Sequence, residues 1–337
     1  MPENSFASNL APVLKSFSRP ILHVVVDTEE EFDWHAPFDR EARSVRALAS
    51  IARVQSIMDR FAIASTYVVD YPVAEQAHGY GALKPLAQAG TIEIGAHLHP
   101  WVNPPYDEEV NARNSFPGNL PEKLESAKLT ELTEKIEESF GMRPKSYKAG
   151  RYGIGPNTPG ILIALGYEVD LSPRPPFDFS AEEGPDFSNI PMVPFWLGDT
   201  PGQLVCIPAT GALVGCMGRA AAPIYRMATR PLFEKLKVPG ILSRLGLVDR
   251  LSLSPEGYSL DEMIKLTKFA LRRGVRIFSL TFHSPSAAPG HTPYVQTEAQ
   301  ATAFCEALER YFDFFINEIS GVSMFPSEIR KQILAPS

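Results

Sequence analysis

The chain has 337 residues, of which 44% are hydrophobic and 21% are charged, and its formal net charge at pH 7 is -7. A chain of this size buries roughly three quarters of its unfolded surface, so it can form a sizeable core without disulfide support. The acidic balance, without a lysine/arginine run, predicts neither a nucleic-acid partner nor binding to an anionic membrane surface.

The cysteine content and the apolar patterning predict a cytoplasmic protein. Cys206, Cys216 and Cys305 are an odd number without CxxC spacing, which is typical of buried thiols in a reducing compartment. Residues 1–20 lack the long apolar core of a signal peptide and are expected to form a leader. No membrane span is expected, because no apolar run reaches the roughly 18 residues that a bilayer requires. These features leave the oligomeric state open.

The first half of the chain predicts strands that alternate with helices. Ile21 to Val26 is an apolar run typical of a strand buried on both faces of a parallel sheet. The other candidates in this half are strands at 62–69, 91–94 and 146–149 and helices at 43–61, 79–88 and 124–140. Such alternation favours an α/β fold, either a parallel sheet or a barrel with helical crossovers.

The second half predicts the same alternation with one interruption. Residues 172–258 are expected to contain an irregular insertion that shapes the site, with a strand at 204–207 and helical segments after residue 220. The regular candidates are strands at 167–171 and 275–282 and helices at 156–165, 259–272 and 298–319. The chain is thus expected to form one domain over residues 21–320, followed by a C-terminal tail at 321–337.

Polar residues follow several of the predicted strands. Asp27 and Glu29 come directly after the first strand and share a face while the backbone stays extended. The stretch TIEIGAHLHPW places His97 and His99 at the end of a later strand, again one residue apart, and Pro100 disfavours helix there. For the adjacent Glu30 there is another interpretation, because acidic residues are favoured in the first turn of a helix.

These pairs predict a metal site. Two imidazoles and a carboxylate are the typical ligands of a catalytic Zn²⁺ or a related divalent ion. Such an ion lowers the pKa of its bound water from 15.7 to about 7. The second carboxylate is then a candidate base, and His283, at the end of the 275–282 strand, is a candidate acid. Arg151 and Asp170 follow two further strands, and residues 103–121 form a long loop typical of a lid.

The motif series VVVDTEE, EIGAHLHPW, KAGRYGIG and LTFHSPS resembles, in the same order, that of the polysaccharide deacetylases, the NodB-homology carbohydrate esterases. It resembles most the WalW-like or WbmS-like branch associated with lipopolysaccharide and capsule sugars. The resemblance implies a distorted (β/α)7 barrel and metal-dependent removal of an N-acyl group, such as acetyl, from a sugar. The expected ion is Zn²⁺, with Co²⁺, Ni²⁺ and Mn²⁺ as alternatives.

The resemblance also implies roles for individual residues. Asp27 matches the base and His283 the acid, while Glu29 and His97 match metal ligands. Arg151 matches the arginine beside the base. The poorest match is Asp170, to the acid that orients the catalytic histidine. The aromatic residues expected to contact the sugar are Trp34, Trp101, Tyr106, Tyr152 and Trp196.

Two departures from the family pattern bear on function. The family spaces its metal histidines HxxxH, but Trp101 stands four residues after His97, so His99 has to serve instead. The usual adjacent aspartates are replaced by Asp27-Thr28-Glu29, so the roles of base and ligand can be exchanged. The alternatives are an amidohydrolase-type enzyme, which also uses an HxH pair, and a sugar-binding barrel without catalytic activity.

Overall fold

Seven strands lie side by side and run parallel in the computed structural model, which describes residues 10–198 and 200–336. The twelve strands are Ala11–Pro12 (β1), Ile21–Thr28 (β2), Ser65–Val69 (β3), Ile92–Leu98 (β4), Ser146–Ala149 (β5), Val169–Asp170 (β6), Phe195–Leu197 (β7), Leu204–Cys206 (β8), Gly211–Val214 (β9), Asp249–Ser252 (β10), Ile277–His283 (β11) and Val322–Ser323 (β12). The parallel row runs in the order β11-β2-β3-β4-β5-β6-β8, and β7 and β1 extend it antiparallel beyond β8.

Helices connect most of these parallel strands, as the alternation in the sequence predicts. They are Ile51–Arg60 (α1), Tyr71–Glu75 (α2), Ala77–Gln88 (α3), Glu122–Phe140 (α4), Thr158–Leu165 (α5), Ala221–Ala228 (α6), Pro231–Lys235 (α7), Val238–Arg244 (α8), Leu260–Arg272 (α9), Glu298–Asp313 (α10) and Pro326–Leu334 (α11). None of the helices within the described ranges is long and apolar enough to cross a membrane.

The predicted insertion supplies part of the sheet. Strand β8 lies within it and forms the seventh member of the parallel row, next to β6. Farther along, β9 and β10 form a separate two-stranded antiparallel sheet beside β11. Two backbone hydrogen bonds connect this region to β11. The amide of Thr210 donates to the carbonyl oxygen of Ser279, and the amide of Thr281 donates to the carbonyl oxygen of Leu253. The segment after β8 therefore contacts the opposite end of the row.

The strands bury both of their faces, which explains their continuous apolar character. One face packs under the helices in a large cluster that includes Val24 and Val26. The other face forms a second cluster around Val25 and Val68. Because successive side chains of a strand point to opposite sides, a single run such as ILHVVV supplies both clusters.

Both ends of the described part of the chain pack against this domain. Within the expected leader, β1 pairs with β7. Residues 321–337, expected as a tail, contain β12, which pairs with β2, and α11. Helix α11 places Ile329 and Ile333 against the second apolar cluster. That cluster is therefore covered at the end of the strands opposite to the polar residues described next.

Candidate metal centre and active site

The predicted polar residues meet at the carboxyl ends of the parallel strands. Asp27 on β2 and His283 on β11 are direct neighbours in the register of these two strands. His97 on β4 and Lys148 on β5 are likewise register partners. Since parallel strands end on the same side of the sheet, residues far apart in sequence form one site.

Glu29, His97 and His99 form the strongest candidate for a metal centre. Their nearest ligand atoms all lie within 4.8 Å of one another. Oε2 of Glu29 lies 3.5 Å from Nε2 of His97 and 3.4 Å from Nε2 of His99. The strand stays extended through Leu98, which places the two imidazoles on one side as the HxH spacing predicts.

The other nitrogen of each imidazole is already bonded. Nδ1 of His97 donates to the carbonyl oxygen of Lys148 at 2.9 Å, and Nδ1 of His99 contacts a carboxylate oxygen of Glu30 at 2.8 Å. Burial lowers the pKa of His97 to about 3 and that of His99 to about 4, so both rings are neutral near pH 7. With Nδ1 protonated, each Nε2 directs a lone pair toward Glu29.

These three side chains fit a divalent cation. Burial, followed by the charges of Glu30 and Asp27, raises the pKa of Glu29 well above its usual value. Oε1 of Glu29 is buried and has no hydrogen-bond partner among the described residues. Two nitrogen lone pairs and an unpaired carboxylate are costly to bury together, and a cation between them removes that cost.

A neighbouring group of Glu30, Asp70 and His99 has a different character. Its ligand atoms are also close together, but they are already hydrogen-bonded within the protein. Asp70 accepts from the backbone amides of Glu30 and Val73, and Glu30 accepts from the indole N–H of Trp101 at 2.8 Å. We therefore interpret this group as support for His99 rather than as a second ion site.

Trp101 supports His99 from a second direction. Its indole ring stacks on the imidazole with centroids 4.3 Å apart, and its side chain is only 2% exposed. On the other side, a Cβ at Gly150 would lie 2.5 Å from Cδ2 of His99, so only glycine leaves room for this ring. Trp101 is therefore buried behind a candidate metal ligand, and this position gives no support to its predicted contact with substrate.

We expect Trp101→Phe to lower the affinity for a divalent ion by about 10-fold, because the hydrogen bond that positions Glu30 is lost while the stacking remains. The measurement is competition with a fluorescent chelator. Trp196→Phe is the matched control, since Trp196 lies on β7 away from the cavity. An unchanged affinity in Trp101→Phe would contradict this role.

Asp27 is held by a buried lysine. Nζ of Lys148 lies 2.7 Å from each carboxylate oxygen of Asp27. Burial alone would raise the pKa of Asp27, but Lys148, His97 and His283 together hold it below its usual value. Asp27 is therefore ionised near neutral pH. On its other side, Oδ2 lies 3.7 Å from Nε2 of His283.

His283 is oriented by Glu256, which comes from the segment after β10. Oε2 of Glu256 lies 2.7 Å from Nδ1 of the imidazole, and Oε1 accepts from the backbone amide of His283 and from Ser286. These contacts direct Nε2 toward Asp27 and the cavity. Trp34 packs edge-on against the same ring, with centroids 4.9 Å apart.

Two of the predicted catalytic residues have other partners. Asp170 accepts a hydrogen bond from Ser172 and does not line the cavity, so Glu256 replaces it as the residue that orients His283. Arg151 lines the cavity, but it donates to Ser115 and pairs with Glu182. The cation that contacts Asp27 is Lys148, which lies on the strand, whereas Arg151, which follows the strand, bonds to Ser115 and Glu182.

Of the other aromatic residues expected to contact substrate, two line the cavity and two do not. Trp34 and Tyr152 line a cavity of about 290 Å³ that opens over the metal centre. Tyr106 is exposed and contacts Arg40 outside this cavity. Trp196 does not line the cavity and packs at the edge of the second apolar cluster. The cavity therefore gives no support to the predicted substrate contacts at Tyr106 and Trp196, and those at Trp34 and Tyr152 stay predictions.

The sequence did not predict the roles of three residues of the site. Lys148 contacts Asp27, Glu256 orients His283, and Glu30 positions His99. A lysine inside the short buried strand at 146–149 was a usable signal, because a buried lysine needs a partner. Glu256 lies in an irregular segment where strand alternation gives no information.

Comparison with known proteins establishes the fold. No protein-family model matches the chain, and neither does any curated protein. The structure is similar to a Mycobacterium smegmatis protein provisionally assigned as a polysaccharide deacetylase (TM-score 0.54, 18% identity, 96% of this chain and 93% of that chain). It is equally similar to Puue allantoinase (0.54, 16%, 98% and 95%) and comparably so to a Pseudomonas aeruginosa PAO1 protein described as a probable polysaccharide deacetylase (0.53, 15%, 93% and 90%).

The class that these similarities define is the polysaccharide deacetylase fold, which allantoinase shares. The fold that the motif resemblance implied, a parallel α/β barrel of the NodB-homology type, is confirmed. At identities of 15 to 18%, the comparison concerns the fold and not the reaction. The relation to the WalW-like or WbmS-like branch stays a prediction.

Proposed function

We propose that the protein is a metal-dependent hydrolase that removes an N-acyl group, such as acetyl, from a sugar or glycoconjugate. The observation that carries the proposal is the convergence of Glu29, His97 and His99 within 4.8 Å. Asp27 and His283 lie beside this group and supply a base and an acid. The fold similarity to polysaccharide deacetylases supports the choice of substrate class.

Glu29, His97 and His99 would hold the ion, and Zn²⁺ is the one that two imidazoles and a carboxylate favour. When bound, it supplies a water of lowered pKa and polarises the acyl oxygen. Asp27 accepts the proton of the attacking water, and Lys148 keeps that carboxylate ionised and fixed in direction. Because both oxygens of Asp27 contact Lys148, its orientation does not depend on the substrate.

His283 donates the second proton of the reaction. Its Nδ1 is held by Glu256, so its Nε2 faces the cavity and can protonate the leaving nitrogen as the C–N bond breaks. Glu256 stabilises the imidazolium before that step, and Trp34 restricts rotation of the ring. The pair thus resembles the acid and its orienting carboxylate in other hydrolases.

The direct test is acetate release from N-acetylated sugars and oligosaccharides by metal-loaded protein. Removal of the ion with a chelator should abolish the release, and Zn²⁺, Co²⁺, Ni²⁺ or Mn²⁺ should restore it. Full activity of the metal-stripped protein would contradict the proposal. If loaded protein binds sugars without any acyl release, the alternative of a sugar-binding barrel replaces it.

A second candidate is hydrolysis of a small amide that is not a sugar. The similarity to Puue allantoinase, which covers 98% of this chain, supports it. Opening of allantoin by the metal-loaded protein, in the absence of acetate release from any acylated sugar, would favour this reaction. A two-ion amidohydrolase has less support, because the group of Glu30, Asp70 and His99 is already hydrogen-bonded.

We expect Glu256→Gln to reduce kcat by about 10² with KM and metal content unchanged, since His283 loses its charged partner. The corresponding change Asp170→Asn should leave kcat within about 2-fold, because Asp170 contacts Ser172 rather than His283. Steady-state acetate release measures both. A larger loss of kcat in Asp170→Asn than in Glu256→Gln, at equal stability, would reverse the assignment.

A further inference from the structure

The cavity contains one arginine for which no hydrogen bond or ion pair is found among the described residues, although the charge of Glu256 lies near enough to favour its protonated form. Arg174 lines the cavity, and its buried Nε has no hydrogen-bond partner. Its guanidinium contacts two aromatic rings instead, with Cζ 4.8 Å from the centroid of Tyr152 and 4.2 Å from that of Phe177. A largely buried cation is costly unless an anion balances it.

The nearby acids are already engaged. Glu256 is bonded to His283 and Ser286, and Glu182, also on the cavity wall, pairs with Arg151. Arg151 therefore differs from Arg174, since it has both a carboxylate partner and a hydroxyl acceptor in Ser115. The free guanidinium faces a cavity that receives the substrate, so the missing anion is expected on the ligand.

The position of Arg174 relates this anion to the reacting group. The ring of Tyr152 lies 5.1 Å from Nζ of Lys148, the residue that holds Asp27, and 4.8 Å from Cζ of Arg174. The guanidinium and the lysine that holds Asp27 thus contact the same aromatic ring. Because Arg174 and Asp27 also line one cavity, an anion at Arg174 is expected to belong to the same ligand as the acyl group.

We propose that Arg174 binds an oxyanion of the substrate, so that the enzyme acts on acylated sugars bearing a carboxylate or a phosphate. This rests on the proposed function for the acyl chemistry, but not for the anion site. The planar guanidinium offers paired N–H donors to either oxyanion, and Tyr152 and Phe177 hold it in place.

Binding is tested first, by calorimetry on the metal-loaded protein with glucuronate, glucose 6-phosphate and glucose. At least one anionic sugar should bind about 10-fold or more tightly than glucose, and Arg174→Gln should remove the difference. Arg250→Gln is the matched control, because Arg250 packs on the same Phe177 ring without lining the cavity. Equal binding of all three sugars, or a preference that survives Arg174→Gln, overturns the proposal.

Turnover separates this proposal from the proposed function. N-acetylglucosamine 6-phosphate and N-acetylglucosaminuronate, compared with N-acetylglucosamine, should show higher kcat/KM in the wild type but not in Arg174→Gln. Acetate release that favours the neutral sugar overturns the anion site and leaves the hydrolase standing. Anion binding lost in Arg174→Gln, without acetate release from any sugar, supports the anion site while the hydrolase proposal fails.

A second feature, independent of the cavity, is an apolar patch on α6 to α8. Five of the nine exposed large hydrophobic residues in the described part of the chain lie here: Met227 (50%), Leu232 (68%), Leu236 (62%), Ile241 (49%) and Leu245 (65%). The three helices contact one another, and the five residues lie on them or directly after them. We call it the α6–α8 patch.

The surroundings of the α6–α8 patch are basic. Residues 219–245 contain six lysines and arginines and a single acid, although the whole chain has a net charge of -7. Five of the cations are exposed: Arg226, Arg230, Lys235, Lys237 and Arg244. Exposed leucines among cations are typical of helices that lie on an anionic membrane surface. From this charge complementarity we infer that the α6–α8 patch docks on anionic lipid.

The test is co-sedimentation with vesicles of phosphatidylcholine, with or without one third phosphatidylglycerol. The protein should bind the anionic vesicles, lose binding in high salt, and lose it in the triple variant Leu232→Ser, Leu236→Ser, Leu245→Ser. Leu334→Ser is the control, because Leu334 is an exposed leucine on α11 outside the patch. Equal binding to both vesicle types, or dimers that the triple variant dissociates in the absence of vesicle binding, overturns the inference.

Discussion

His97→Ala is expected to abolish stoichiometric binding of a divalent ion and to reduce acetate release by at least about 10³-fold, because the ion supplies both the nucleophile and the polarisation of the acyl group. His97 contributes one of two imidazole nitrogens that face Glu29, and its removal leaves an incomplete ligand set. Elemental analysis after dialysis and an acetate assay measure the two effects.

His291→Ala is the matched control for this substitution. His291 lies 3.4 Å from Glu31 on the rim and outside the ligand set, so its loss should change neither metal content nor turnover. If His97→Ala binds one ion per chain as tightly as the wild type, the metal centre lies elsewhere. The function proposed for the site would then lose its main support.

His283→Ala is expected to keep the divalent ion and to lose turnover. The ion should remain, because His283 contacts Glu256 and Asp27 and none of the three ligand side chains. Turnover should decrease by about 10² to 10⁴, the usual contribution of a general acid. A substrate whose leaving amine is more acidic should lose less activity, since its departure depends less on protonation.

Metal analysis and acetate release on the same His283→Ala sample distinguish an acid from a ligand. Loss of the ion would assign His283 to the metal centre instead. Activity within about 3-fold of the wild type, with the ion retained, would mean that another group protonates the leaving nitrogen.

The convergence of the candidate metal ligands was predictable because strand geometry is local. Asp27, Glu29, His97 and His99 come directly after or within apolar runs, and residues two apart on a strand share a side. The expectation that all strands run parallel then places these residues on one rim. No knowledge of packing was needed for that step.

The sequence did not predict which of two cations, Lys148 or Arg151, contacts Asp27. Both lie in KAGRYGIG, and the sequence favoured the arginine because it follows the strand. After Gly150, however, Arg151 and Tyr152 both adopt positive φ, of 52° and 61°, and the chain turns away from the base. Which cation reaches Asp27 is thus decided by a backbone conformation that spacing does not reveal.

Glu256 was not predictable for a different reason. It reaches His283 because the antiparallel pair of β9 and β10 packs beside β11. Glu256 lies in the irregular stretch between β10 and the next helix, so no strand pattern indicates this contact. Asp170, by contrast, is the last residue of a strand and therefore attracted the prediction. The basic α6–α8 patch was also missed, since its cations are spaced along three short helices and form no run.

Helix α11 fills the far end of the strands with Ile329 and Ile333, both in contact with the apolar interior. A substrate that enters over the metal centre therefore has no exit on the opposite side. For the reaction proposed above, the freed acid and the amine would therefore leave through the same opening by which the substrate arrives.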